Sequence, residues 1–378
     1  MDTTPQAGTT RLHHLDSLRG VAAVAVALDH SLFSFPDVPC AGFLSSLLAG
    51  APVDFFFLLS GFVLGRSLDK SRGLTPVEIS GFYLRRVFRL YPALLAALIF
   101  SALAAKFYII PAEWSPASAF LRRVMTEAHY DIATIHDYVN SLTLKNIKLD
   151  PPLWTIRVEF LCSFLLPFLV LLTKRIHRLT VPLLLGLALF KILGRGDPTN
   201  LLAFYLGALI HYAAPALAAL SVRQTKWLLY LGVVVLLFGM STTLNPVSEN
   251  LLLAGLLAVL VPCHWPGLKK FLVSRPLLFL GRISYSFYLL HLPVLLLTWT
   301  LLGRFSPGLL CYSPRIVPAL ALFLISLAIT FPLAHFCQRF VEVPFNNLGH
   351  RVVVPFWSLH LGKILFRQGV CKKDVLER

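Results

Sequence analysis

Ten apolar segments divide the chain, at approximately 20–36, 43–65, 91–110, 157–173, 179–194, 199–219, 226–242, 249–264, 284–303 and 316–340. A straight helix needs about 20 apolar residues to cross a bilayer, and several of these segments are shorter. In lipid each backbone N–H and C=O must be satisfied within its own segment, so such segments fold as helices. Charged residues make up only 14% of the 378, against about 25% in soluble domains, while hydrophobic residues reach 57%. Mean hydropathy is +0.73. The expected fold is therefore an all-α polytopic membrane protein with about ten transmembrane helices. Gly50 and Pro52 in "GAPVDFFF" predict a break in the second segment.

The net charge is +16. In a soluble protein that excess would suggest nucleic acid; here it reads as topological signal and as sites for anionic lipid or ligand, with no nucleic-acid partner expected. With the N-terminus placed in the cytoplasm, the inner loops and tails hold 24 Lys and Arg and the outer loops 10. That bias predicts both termini cytoplasmic and an even number of spans. The polar first 14 residues and the lack of a small-residue cleavage site argue against a cleaved signal peptide. Residues 1–350 read as one transmembrane domain and 351–378 as a basic cytoplasmic tail suited to the inner leaflet. Residues 111–156 form a long outer segment ending in "DPPLW", either functional or a simple lid. The six cysteines show no metal-ligand spacing, so no metal is expected. Cys40 and Cys311 both fall outside in this topology and could join in a disulfide.

Ionisable residues inside apolar segments cost about 2.5–3.5 kcal/mol each on insertion scales, and they usually face a cavity or a partner. Arg19 and His30 stand eleven positions apart on the first segment, about 16 Å along one helical face. Asp29 precedes His30. Asp54 and Ser60 lie in the second segment and Glu159 near the outer end of the fourth. Ser284, Tyr288 and His291 share one face of the ninth. Arg85, Arg86 and Arg89 precede the third on the cytoplasmic side. Guanidiniums suit phosphate by bidentate hydrogen bonding, and an imidazole suits proton abstraction from a hydroxyl. Each has a plainer reading. Asp54 could cap a helix, Glu159 could pair with Arg157 or another arginine, His291 could simply pack helices, and the three arginines could be positive-inside signals.

Six pieces in order carry a family resemblance: "LDSLRGVAAVAVALDH", "VDFFFLLSGFVLG", "FYLRRVFRLYPA", "PLWTIRVEF", "LGRISYSFYLLHLPVL" and "RFVEVPFNNLG", spanning about residues 11 to 350. The chain resembles the acyltransferase-3 family of integral membrane O-acyltransferases, which includes O-antigen, exopolysaccharide, Nod-factor and macrolide acyltransferases. The resemblance implies a ten-helix core, an acyl-CoA donor (acetyl-CoA foremost) from the cytoplasm, and a sugar, glycolipid or macrolide hydroxyl as acceptor on the far side. It implies His30 as catalytic base or relay, Arg19 as its companion, Glu159 in the active centre towards the acceptor, and Arg85, Arg86 and Arg89 on the CoA phosphates. Asp29, Asp54, Ser284, Tyr288 and His291 are supporting candidates. Arg157 departs from the family, which often has a small Ser there, and this puts the charge around Glu159 in doubt. A fused second domain is not expected in the 28 residues after His350.

The expected reaction is acyl transfer through the membrane, with Asp29 or another carboxylate orienting the imidazole and an acyl-His intermediate as a variant. The expected address is the cell membrane, the inner one in a bacterium. Two rivals stand beside it. A transporter or exporter of an anionic glycan or lipid would also use inner arginines and a polar middle, but it should show repeated halves. An inactive membrane scaffold would leave the polar centre accidental.

Overall fold

The computed structural model describes residues 12–38, 41–69, 75–109, 117–129, 133–145, 147–194, 197–241 and 245–352. Cys40 and the tail beyond 352 lie outside them. Regular structure among the described residues is helical throughout: α1 (His13–Phe33), α2 (Ala41–Ser45), α3 (Ala51–Asp69), α4 (Pro76–Ala105), α5 (Ala119–Ala128), α6 (Ile135–Leu142), α7 (Leu153–Arg175), α8 (Thr180–Leu193), α9 (Leu201–Leu217), α10 (Val222–Ser241), α11 (Pro246–Leu260), α12 (Pro266–Leu272), α13 (Arg275–Phe305), α14 (Pro307–Leu310) and α15 (Ile316–Cys337).

Every one of the ten apolar segments falls on a helix. Five helical stretches are long and apolar enough to cross a membrane: Phe43–Asp69, Glu78–Ala105, Leu153–Arg175, Arg275–Phe305 and Ile316–Val352. Others are short, with 14 residues in α8, 17 in α9 and 15 in α11. The second segment does not break at Gly50 and Pro52. A π-turn over Ser46–Gly50 joins α2 to α3 and keeps one continuous stretch. Pro52 has no N–H to give the preceding turn, and a π-turn accommodates that loss without ending the helix. The outward face of α4 places Leu95, Ile99 and Leu103 in exposed positions every fourth residue. That apolar stripe suits lipid contact.

Local sequence sets where each functional helix begins. Thr75 and Glu78 form a capping box at the start of α4, with Pro76 in its first turn. This fixes the register of the arginines that follow. Glycines then set how closely helices meet. A Cβ on Gly20 of α1 would lie 2.5 Å from the backbone of Leu280, and one on Gly281 of α13 would lie 2.6 Å from that of Asp16. The two helices therefore cross almost backbone to backbone. They run the same way, and ten residues beyond each glycine stands a histidine, His30 and His291. Ten residues span about 15 Å of helix on both sides, so the glycine crossing brings the two imidazoles level.

Candidate active site

His30 Nδ1 lies 3.0 Å from His291 Nε2, and the ring planes differ by 10°. His291 Nδ1 lies 2.6 Å from the Tyr288 carbonyl oxygen. A carbonyl only accepts, so His291 Nδ1 carries a proton and donates it. In the neutral imidazole its Nε2 is then the acceptor. The contact between the rings is therefore a bond donated by His30 Nδ1–H, which leaves His30 Nε2 as the atom with the free lone pair. The two rings and the carbonyl form a chain that fixes the His30 tautomer. Asp29 takes no part in it: Asp29 is buried, accepts from Ser45, and its Oδ1 has no hydrogen-bond partner among the described residues. The expected carboxylate behind His30 is thus replaced by a second histidine. An aspartate directly before His30 points about 100° away around the helix.

His30 lines a cavity together with Asp54, Phe120, Trp154, Glu249 and Tyr288. Phe120 of α5 stacks on the His30 ring, with centroids 5.8 Å apart. The start of α5 is tied to the end of α1 by Ser118 N–H donating to Ser34 O at 2.9 Å. Part of the long 111–156 segment therefore roofs the histidine. Asp54 pairs with Lys191 at 3.7 Å and accepts a short hydrogen bond from Asn250. It sits in the first turn of α3, but its carboxylate is engaged across the bundle.

A second cavity is lined by Arg19, Ser60, Arg89, Glu159, Ser284 and Tyr288 among others. Glu159 accepts from Arg86 Nη2 at 2.6 Å, and the pair is almost buried, at 8% and 18% side-chain exposure. Ser60 Oγ donates to the same oxygen at 3.5 Å. Arg19 also contacts Asp16 at 3.4 Å. Three guanidiniums thus surround one carboxylate, with Asp16 at the edge. The ensemble keeps an excess of positive charge.

These placements sort the sequence candidates. Arg19, Arg89, Glu159 and Ser284 share one chamber. His30 and Asp54 line the other, and His291 stands behind His30 through the contact between their rings. Glu159, expected towards the acceptor, lines the same chamber as Arg19; α7 begins at Leu153, six residues ahead of it. Arg86 holds Glu159, while Arg85 is not among the described residues lining either chamber. Ser284 gives its hydroxyl to the Gly281 carbonyl at 3.0 Å. Tyr288 lines both chambers and forms the partition between them.

Sequence reasoning missed Lys191, Asn250, Glu249, Phe120 and Thr155. Lys191 had a signal, a lone cation inside the apolar "LGLALFKIL". Phe120 and Thr155 had none, since neither is unusual in its own helix.

The family described as "Acyltransferase domain", acyltransferase-3, matches residues 12–335. The O-acetyltransferase OatA of Staphylococcus aureus (strain NCTC 8325) is 24% identical over 375 residues, covering 89% of this chain and 57% of that protein. The peptidoglycan O-acetyltransferase OatA of Listeria monocytogenes serovar 1/2a is 26% identical over 382 residues, covering 89% and 56%. The chain spans just over half the length of these curated relatives. No solved structure matches it. The apolar helices, the ordered motifs and a family match across most of the chain agree, and the protein belongs to the acyltransferase-3 family of multi-pass membrane proteins.

Proposed function

We propose that the chain transfers an acyl group from acyl-CoA on the cytoplasmic side to a hydroxyl of a sugar, polysaccharide or glycolipid on the far side. It does so from about ten spans with both termini inside. The carrying observation is the His30–His291–carbonyl chain, whose free Nε2 belongs to a residue facing one chamber, with an arginine-lined chamber beyond Tyr288. Likeness to the two O-acetyltransferases supports acetyl as the acyl group and a cell-wall type of glycan as acceptor.

Acyl-CoA enters the Arg19 chamber, where Arg19 and Arg89 offer guanidiniums to its phosphates. Its pantetheine arm carries the thioester to Tyr288. The acceptor hydroxyl enters the His30 chamber and gives its proton to His30 Nε2. Its oxygen bonds to the thioester carbon and the C–S bond breaks. The CoA sulfur leaves as thiolate and recovers the proton from the imidazolium. Positioning supplies much of the rate, since a thioester is already activated. His291 holds the tautomer that makes His30 a base.

His30→Ala in full-length protein reconstituted in vesicles should lower acetyl transfer from acetyl-CoA by about 10²- to 10⁴-fold, with the protein still inserted. Transfer at the parent rate would reject the role of His30. Failure of the parent protein to bind CoA at all would favour the transport reading.

A further inference from the structure

Tyr288 holds the centre of the site with two different atoms. Its carbonyl anchors His291. Its hydroxyl stands 3.2 Å from Thr155 Oγ1 of α7, across the bundle. Thr155 Oγ1 also donates to the Pro152 carbonyl at 2.9 Å. Thr155 Oγ1 thus turns its proton towards the Tyr288 oxygen as well as towards the Pro152 carbonyl, which can only accept. The Tyr288 oxygen is the acceptor in this contact, so its own O–H is not spent on Thr155 and is available as a donor.

The surroundings narrow what that donor serves. Tyr288 is nearly buried, at 7% exposure, and it is the described residue common to the linings of both chambers. Its ring centroid lies 5.4 Å from that of His291. In the His30 chamber, Asp54 and Glu249 offer acceptors when ionised, while Val26, Val53, Pro151 and Pro152 offer no side-chain donor. Trp154 supplies an indole N–H there, but it does not line the Arg19 chamber. A thioester carried from the arginine side to His30 must bring its carbonyl past the Tyr288 hydroxyl.

From this geometry we infer that Tyr288 is a catalytic residue, the hydrogen-bond donor to the acyl carbonyl oxygen as negative charge builds on it. The inference rests on the acyl-transfer reading and names a group that reading leaves unassigned. As the acceptor oxygen bonds to the thioester carbon, the carbonyl π pair moves onto oxygen. The phenol O–H donates to that oxygen and keeps its proton. When the C=O bond re-forms and the C–S bond breaks, that hydrogen bond is released. No further reactant is needed. A donor placed where charge develops, in a site shielded from water, is worth more than the same bond in solvent.

The test uses full-length protein in lipid vesicles, acetyl-CoA as donor and water as the probe acceptor, with CoA release followed by a thiol reagent. Tyr288→Phe keeps the ring and the carbonyl that anchors His291 and removes only the hydroxyl. It should lower kcat by about 10²- to 10³-fold, as loss of one oxyanion donor does elsewhere, with KM for acetyl-CoA within about twofold. Replacing Tyr288 by ring-fluorinated tyrosines should make kcat follow phenol acidity, a dependence that a merely structural hydroxyl would not give. Tyr288→Phe within threefold of the parent, with His30→Ala inactive, overturns the inference and leaves the acyl-transfer reading standing. A parent protein that releases no CoA above protein-free vesicles contradicts that reading and removes the inference with it.

Discussion

Glu159 and Arg86 form a buried pair at 2.6 Å, and a buried charge stripped of its partner is costly. Arg86→Ala should destabilise the protein by about 3–5 kcal/mol because it leaves Glu159 with less compensation. Adding Glu159→Ala should recover part of that loss. Thermal unfolding in detergent measures both, and a double variant no more stable than Arg86→Ala alone would contradict the pairing. Asp150 lies outside the long apolar stretches, just ahead of α7. It is 1% exposed, and neither carboxylate oxygen has a hydrogen-bond partner among the described residues. Burial pushes its pKa well above the usual carboxylate range. The native state therefore holds this proton more tightly than the unfolded chain, so its contribution to stability is full below about pH 4 and falls as pH rises towards the raised value. Asp150→Asn should raise the unfolding midpoint at pH 7–8 and do little at the lowest pH the protein tolerates. An equal shift at both would show that the proton is not involved.

At the scale of elements, the α1–α13 crossing carries the site. The Gly20 and Gly281 contacts leave no room for a side chain against the opposing backbone. Gly20→Ala should push α1 away, cost about 1–3 kcal/mol as overpacking does, and lower acyl transfer by misaligning His30 with His291. Parent-level activity and stability would mean the crossing is looser than described. This element also marks how far the sequence could be read. Helical period alone put Arg19 with His30, and Ser284 with Tyr288 and His291, because those sets lie on single helices. It could not pair His30 with His291, which are 261 positions apart. The sequence offered Asp29 or another carboxylate as the neighbour that orients the imidazole, and the His291 contact is tertiary and invisible to it. The π-turn at Ser46–Gly50 escaped for a related reason: Gly50 and Pro52 announce a disturbance but not whether the helix ends or widens.

Over the whole molecule, hydropathy was the clearest signal, and each apolar segment is helical. The second side of the site was harder to read. Glu159, placed by its distance along a segment, lines the same chamber as Arg19. The Lys191–Asp54–Asn250 group joins three helices, α8, α3 and α11, that no local pattern connects. What results is a bundle with two chambers meeting at Tyr288, and the claim that donor and acceptor arrive from opposite faces rests on it. Sealed vesicles holding the protein in one known orientation test that claim most directly. Acetyl-CoA supplied only at the cytoplasmic face should acetylate a membrane-impermeant glycan supplied only at the other, and acetyl-CoA supplied at the opposite face should give no product. Equal product from either face, or product only when donor and glycan share one face, would contradict the account.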